Sequence, residues 1–295
     1  YNGSASFTVT PNSGYILEID SHTCGGTLSG STYTISNITS GKSCSITFKK
    51  ATLYAKLLAD NPTRETRNTY NAVFTNNTTG TLFSATEKNV HNTTDTTVYY
   101  YAGNTTKNWV KFAGFYWRII RTNADGSIRM LYSGTSHDTT SGYINSTTYA
   151  FSSSYNNPMY VGYMYGTSGS LVNNRKNTTN STIKDKIDTW YTQNMTSYTK
   201  YLSTTAVYCN DRTEQTAGTY NTGNTTFYYA SYARAYTNYA PTYDCTEASD
   251  AFSVDNTSAK LTYPIALMTA DEIMRAGGKG GTSLTSPYAW YYLNS

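Results

Sequence analysis

Charge is scarce in this chain. Lys, Arg, Asp and Glu make up 14% of its 295 residues, against about a quarter in an ordinary soluble domain. The net charge is only +4, and the densest basic groups are Lys49-Lys50 and Arg175-Lys176. Nucleic-acid binding needs a clustered basic face, so no nucleic-acid partner is expected. Hydrophobic runs are short as well, and none approaches the roughly 20 apolar residues that cross a bilayer. No membrane span is therefore expected in this segment. The three histidines, His22, His91 and His137, are scattered and offer no metal-ligand cluster. Cys24, Cys44, Cys209 and Cys245 lack the C-x-x-C spacing of zinc and redox sites. No metal and no cofactor are expected. No signal peptide is visible and the chain opens on Tyr1, which reads as a processed product or a fragment.

Catalytic patterns are missing too. There is no G-x-S-x-G, no H-E-x-x-H and no paired Cys/His arrangement. Asp185 with Asp188, and Asp271 with Glu272, read most simply as helix-end caps or solvated charges. A glycosidase needs two carboxylates facing across a cleft, and nothing places such a pair. The run Gly277 to Gly281 around Lys279 follows a helix and lacks the G-x-x-x-x-G-K-[ST] order of a phosphate loop. No catalytic residue is assigned, and the chain is not read as an enzyme.

What is abundant is Thr, Ser, Asn and Tyr. There are 31 tyrosines, each an apolar ring with a polar tip that needs a partner, so the core must lean on tyrosine. An even number of cysteines in such a chain favours two disulfides, Cys24 with Cys44 and Cys209 with Cys245, in an oxidising compartment. Buried free thiols are the alternative. Each bridge would close a loop of a few tens of residues and contribute roughly 3–4 kcal/mol. About a dozen Asn-x-Ser/Thr triplets occur, among them Asn77-Thr78-Thr79, Asn104-Thr105-Thr106 and Asn224-Thr225-Thr226. They would be glycan acceptors in a eukaryotic secreted protein, but a chain this rich in Asn and Thr produces many by chance.

Along the chain, residues 1–49 alternate apolar and polar positions in three places: Ala5/Phe7/Val9, Tyr33/Ile35 and Cys44/Ile46/Phe48. This reads as a small β-module with too few strands to bury two faces. Ala51 to Asp60 predicts a short helix ended by Pro62. Residues 50–108 read as a helix and an Asn/Thr-rich connecting region, with one strand in "TTVYYYAG". From Phe115 to Tyr132 two alternating runs flank Asp125-Gly126, a hairpin with a tight turn. Both faces of the hairpin are bulky, which fits core strands. A ligand platform is the competing reading, and Tyr116, Trp117 and Tyr132 are its candidate contact residues. Long surface loops are expected between residues 133 and 180, including "NPMYVGYMYGTSGS". A helix is expected at "STIKDKIDTWYTQNM", with Ile183, Ile187 and Trp190 on one stripe and Thr182/Asp185 as its capping box. "YPIALM" reads as a short buried strand. Thr269 and Glu272 form the capping box of a second helix that Gly277-Gly278 stops.

The first segment resembles the short β-repeats of bacterial surface proteins through Val9-Thr10-Pro11-Asn12, Gly14-Tyr15, Cys24, Ser36 to Thr39 and Cys44 to Phe48. The rest resembles modular surface proteins of Firmicutes whose function is not known. The residues that carry this are Asn108 to Phe112, Phe115 to Tyr132, Val207 to Arg212, Tyr243 to Thr246 and Leu261 to Gly278. The resemblance implies a Cys209–Cys245 disulfide. It also implies a head similar to the formylglycine-generating-enzyme and C-type-lectin-like group. Proteins of this kind continue into a Trp-rich segment and a closing strand, whereas this sequence stops at "AWYYLNS", so the head is expected to be incomplete.

The resulting expectation is an α+β, mainly β chain: a disulfide-stapled spacer module (1–49), a connecting region (50–108) and an α+β head with few helices (109–295). Its implied role is a non-catalytic, extracellular or cell-surface protein whose head binds a host or microbial surface glycan or protein. The alternative is a subunit of a pilus or filament that joins other copies of itself by β-strand addition.

Overall fold

The computed structural model describes residues 2–12, 14–137, 142–145, 147, 149, 165–166, 171–215 and 229–280. The expected surface-loop run "NPMYVGYMYGTSGS" lies outside the described residues apart from Tyr165 and Gly166, and so does "AWYYLNS". The chain is α+β and mainly β, in two compact units, Tyr1–Pro62 and Thr63–Ser295.

The first unit holds β1 (Gly3–Thr8), β2 (Tyr15–His22), β3 (Thr27–Ser29), β4 (Thr32–Ile38), β5 (Ile46–Lys50) and α1 (Leu53–Asp60). β4 lies between β1 and β3, and β2 pairs with β5, all antiparallel. The helix begins where the Thr52 hydroxyl accepts the Ala55 N–H, an N-cap that satisfies one of the free first-turn donors. It packs within this unit, so the division falls after Pro62 rather than after residue 49. Among the described residues of this unit the buried hydrophobic side chains are Tyr33, Ile35 and Leu57. Tyr33 illustrates the tyrosine core: its ring is fully buried, while its hydroxyl meets His22 Nδ1 at 2.6 Å and accepts the Gly26 N–H at 2.9 Å. Gly26 is held to glycine by that ring, because a Cβ there would lie 2.5 Å from Tyr33 Cζ.

The second unit is organised by one sheet, in the order β11 (Ile128–Tyr132), β10 (Phe115–Thr122), β8 (Asn92–Tyr101), β7 (Leu82–Asn89) and β6 (Arg64–Thr66). β9 (Trp109–Phe112) pairs with the first half of β10. Residues 64–101 thus supply three strands of this sheet, and the expected connecting region does not stand apart. Its strands are hard to read because the first half of β8 exposes Thr93, Thr94 and Asp95 and the strand closes on buried tyrosines. The predicted hairpin is β10–β11, with Gly126 at φ 79° in its turn. α2 (Leu171–Asn174), α3 (Thr182–Asn194), a 3-10 turn at Thr196–Tyr201, β12 (Tyr208–Cys209), α4 (Ala230–Ala233), β13 (Ala251–Phe252) and α5 (Ala270–Ala276) follow. α4 runs on into a π-turn at Arg234–Asn238.

Two local expectations change. The cap of α3 is Ser181, which accepts the Lys184 N–H, rather than Thr182. Its buried face is Lys184, Ile187 and Tyr191, because the Lys184 ammonium is drawn in by Asp188 at 2.5 Å and the Thr262 hydroxyl at 3.2 Å. "YPIALM" forms no strand. Its Tyr263 and Ile265 pack into an aromatic cluster instead, and Pro264 has no N–H to give a ladder. The Thr269–Glu272 capping box is present as read.

Both disulfides are formed, Cys24–Cys44 and Cys209–Cys245, and no described cysteine is free. The second tethers β12 to Cys245, whose N–H bonds the Lys88 carbonyl at the end of β7. Asparagine side chains do similar work on the loops. Asn77 Nδ2 donates to the Thr81 and Ala102 carbonyls, Asn177 Nδ2 to those of Ser249 and Ser258, and Asn256 Nδ2 to those of Ala248 and Ala251. Each belongs to an Asn-x-Ser/Thr triplet, so these amides are spent on backbone carbonyls and are poor glycan acceptors. Asn224 lies outside the described residues.

With so few buried side chains, the first unit should depend on its bridge. Replacing Cys24 and Cys44 by Ser should cost about 3 kcal/mol by loop entropy. Calorimetry should then show the first unit melting early while the transition of the second unit stays in place.

Candidate functional site

Nine of the charged side chains are buried among the described residues, and most of these are paired with one another. Arg121 on β10 donates through NH1 to Glu87 Oε2 on β7 at 2.7 Å and through Nε to Glu272 Oε1 on α5 at 3.2 Å. Arg129 on β11 lies 2.8 Å from the same Glu272 oxygen and also donates to the Val207 carbonyl. All four side chains are at most 4% exposed. Aromatic rings roof the cations: Tyr243 lies 4.3 Å from the Arg121 guanidinium and 4.6 Å from that of Arg275, and Tyr208 lies 3.9 Å from that of Arg129. Two further arginines repeat the scheme. Arg212 is fully buried and bonds Asp250 through Nε at 2.8 Å. Arg234 grips both oxygens of Asp271 at 2.8 Å and Asp211 at 2.7 Å.

A narrow crevice opens onto this lattice, lined by Arg121, Cys209, Thr242, Tyr243, Asp244, Thr269, Asp271 and Glu272. It has room for about one water molecule. The Tyr243 hydroxyl is buried there with no protein partner, and burial raises it well above its ordinary range despite Arg275 and Arg121. Burial by itself would raise the Glu272 carboxyl, but Arg129 and Arg121 outweigh it and hold the group below the usual value. Asp271 and Glu272 are therefore committed to arginines, and Asp244 accepts the Lys88 N–H at 3.0 Å. Of the two readings of Asp271 and Glu272, cap or solvated charge, the cap holds for Glu272; neither is solvated, since both are buried, and Glu272 also joins the ion lattice.

The three aromatics singled out in the hairpin divide between two faces. The pairings Phe112↔Phe115, Lys111↔Tyr116, Val110↔Trp117 and Trp109↔Arg118 set alternate residues on opposite sides of the sheet. Trp117 and Tyr132 go inward, into a cluster with Phe115, Trp190, Tyr191 and Met195, and the Trp117 indole N–H donates to the Phe112 carbonyl at 2.9 Å. Those two are core. Tyr116 lies on the other side with Trp109 (ring centroids 6.4 Å) and His137 (5.7 Å). His137 lies 4.5 Å from Trp109, and the Lys111 ammonium lies 5.4 Å from the Tyr116 ring. The buried Arg118 guanidinium backs Trp109 at 4.3 Å and is itself held by Asn108 Oδ1 at 2.7 Å and the Thr105 carbonyl at 2.6 Å. Tyr116 and Trp109 are partly exposed, and Lys111 and His137 are exposed. Trp109 and Lys111 stand in phase in "NWVKF", which was a readable signal. His137 comes from beyond β11 and was not.

Among the described residues no group of His, Cys, Asp and Glu could hold a metal ion, and no helix is long and apolar enough to cross a membrane. No protein-family model, curated protein or solved structure matches this chain.

Glu272→Gln keeps a capping side chain but leaves Arg129 and Arg121 short of a counter-charge. Chemical denaturation at neutral pH should show a loss of about 3 kcal/mol or more. Because the folded carboxyl titrates below its ordinary value of 4.5, its contribution is full above that pH and fades as pH falls through the lowered value. The stability gap between wild type and Glu272→Gln should therefore close on acidification below about pH 4.

Proposed function

We propose that this chain is a non-catalytic extracellular or cell-surface protein that binds a surface saccharide or protein through the Trp109–Tyr116–His137 face of its second unit. The observation that carries the reading is the combination of partly exposed aromatic rings with Lys111 on a strand pair locked from behind by Arg118. Rings of this kind supply large contact area at little entropic cost, with polar edges for orientation. A rigid sheet supplies preorganisation. The two disulfides fit an oxidising compartment, and a surface of Thr, Ser and Asn offers the hydroxyls and amides that suit sugar contact. The second reading, a filament subunit, draws on the open strand edges of the first unit. A filament also needs donor and acceptor surfaces that differ, and only the edges are at hand.

The test is an array of neutral and acidic oligosaccharides together with immobilised mucin, probed with the whole chain. Tyr116→Ala should weaken binding to the best-retained probe at least about tenfold with an unchanged near-ultraviolet circular dichroism spectrum. Retention of nothing, or binding indifferent to Tyr116→Ala, would contradict the assignment.

A further inference from the structure

Beyond ligand binding, we propose that the chain forms a two-fold symmetric dimer through the free edge of β1, pairing it antiparallel with β1 of a second copy. Unpaired strand edges invite other chains, and proteins guard them with charge, proline, bulges or brevity. The first unit has four such edges, and three are guarded. β2 carries Glu18 and Asp20, β5 ends on Lys49-Lys50, and β3 is three residues long. β1 is six residues, GSASFT, with no charge and no proline, and every residue in it is exposed; its pairing with β4 shifts register between Gly3 and Ala5, where the extra residue lies on β4, and is regular from Ala5 to Thr8. Two copies meeting through β2 would oppose acids to acids, and through β5 lysines to lysines. β1 can meet its own copy without like charges, and this selects a second copy as the occupant.

The backbone direction supports the same edge. Val9 N–H donates to the Ser31 carbonyl at 2.9 Å, in the same register as Phe7↔Tyr33 and Ala5↔Ile35. Antiparallel ladders alternate, so residues 5, 7 and 9 turn their peptide groups towards β4, while Ser6 and Thr8 turn theirs outward. A second β1 centred on Ser6 places Ser6 opposite Ser6, where the two residues exchange a pair of N–H···O=C bonds. It also places Ala5 opposite Phe7. Ala5 and Phe7 share the sheet face of Ile35 and Tyr33, and Phe7 is 40% exposed. The pairing would cover that ring and continue the core face across the two-fold axis. Because the interface is the same patch on both copies, it closes at two rather than growing into a fibre. Two heads on one assembly then bind a repetitive surface with avidity.

Sedimentation of the whole chain from low micromolar to about 1 mM tests this. Wild type should pass from monomer to dimer over that range. Ser6→Pro deletes the outward N–H, keeps the bonds to β4, and removes only the Ser6–Thr34 hydroxyl contact of 2.8 Å; proline is tolerated on an edge strand. Ser6→Lys keeps the donor but sets two ammonium groups face to face. Each variant should weaken dimerisation at least about tenfold with the melting of the first unit unchanged. A monomer at every concentration, or a dimer that both variants leave intact, would overturn the proposal.

Discussion

The pairing of Arg121 with Glu272 and Glu87 is the contact on which the second unit turns. It ties β10 to β7, on the far side of the intervening β8, and to α5 near the end of the described chain, across 34 and 151 residues of sequence. Burying ions costs several kcal/mol each unless geometry and further hydrogen bonds compensate. Here Arg129 shares Glu272, Tyr243 covers Arg121, and the Ala124 N–H adds a bond to Glu87 Oε2. These contacts offset part of that cost, while Arg129 Nε and the Tyr243 hydroxyl are buried without a hydrogen-bond partner. Arg212–Asp250 and Arg234–Asp271 fasten other loops in the same way. Nine charged side chains are thus buried among the described residues, on strands, loops and helices.

The proposed binding face rests on that internal order. β9 and the first half of β10 are the part of the sheet where one side packs on α3 and the other carries Trp109, Lys111 and Tyr116. The strand that presents Tyr116 is the strand that carries Arg118 and Arg121. Tyr116 is thereby held on a strand whose buried arginines cannot move without leaving charge or polar groups unpaired.

Much of this was legible in the sequence, and the limits have physical causes. The hairpin was readable because alternation and Asp125-Gly126 are local signals, and the cysteine pairs because each lies close in the chain. α5 announced itself through Thr269 and Glu272. The strands of residues 64–101 hid because Glu87 and Asn89 are buried in β7 alongside Leu82 and Phe83, and because β8 runs from exposed Thr and Asp to buried Val and Tyr without a clean alternation. The division of Tyr116 from Trp117 and Tyr132 followed from period-two alternation, but which side would be covered depended on α3, some 65 residues on. Glu272 showed its role as a cap and concealed its role in the lattice, since its arginine partners lie more than a hundred residues away. His137 joined Trp109 through the return of the chain after β11, which no local pattern announces.

Native-state hydrogen exchange of the whole chain tests the central claim that the lattice makes β10 and α5 one cooperative body. The account predicts that the amides of Arg118 to Thr122 and those of the last turn of α5 are the slowest in the second unit and open together only in its global unfolding. If α5 instead exchanged by a local opening far less costly than that of β10, the lattice would not be what holds the head together.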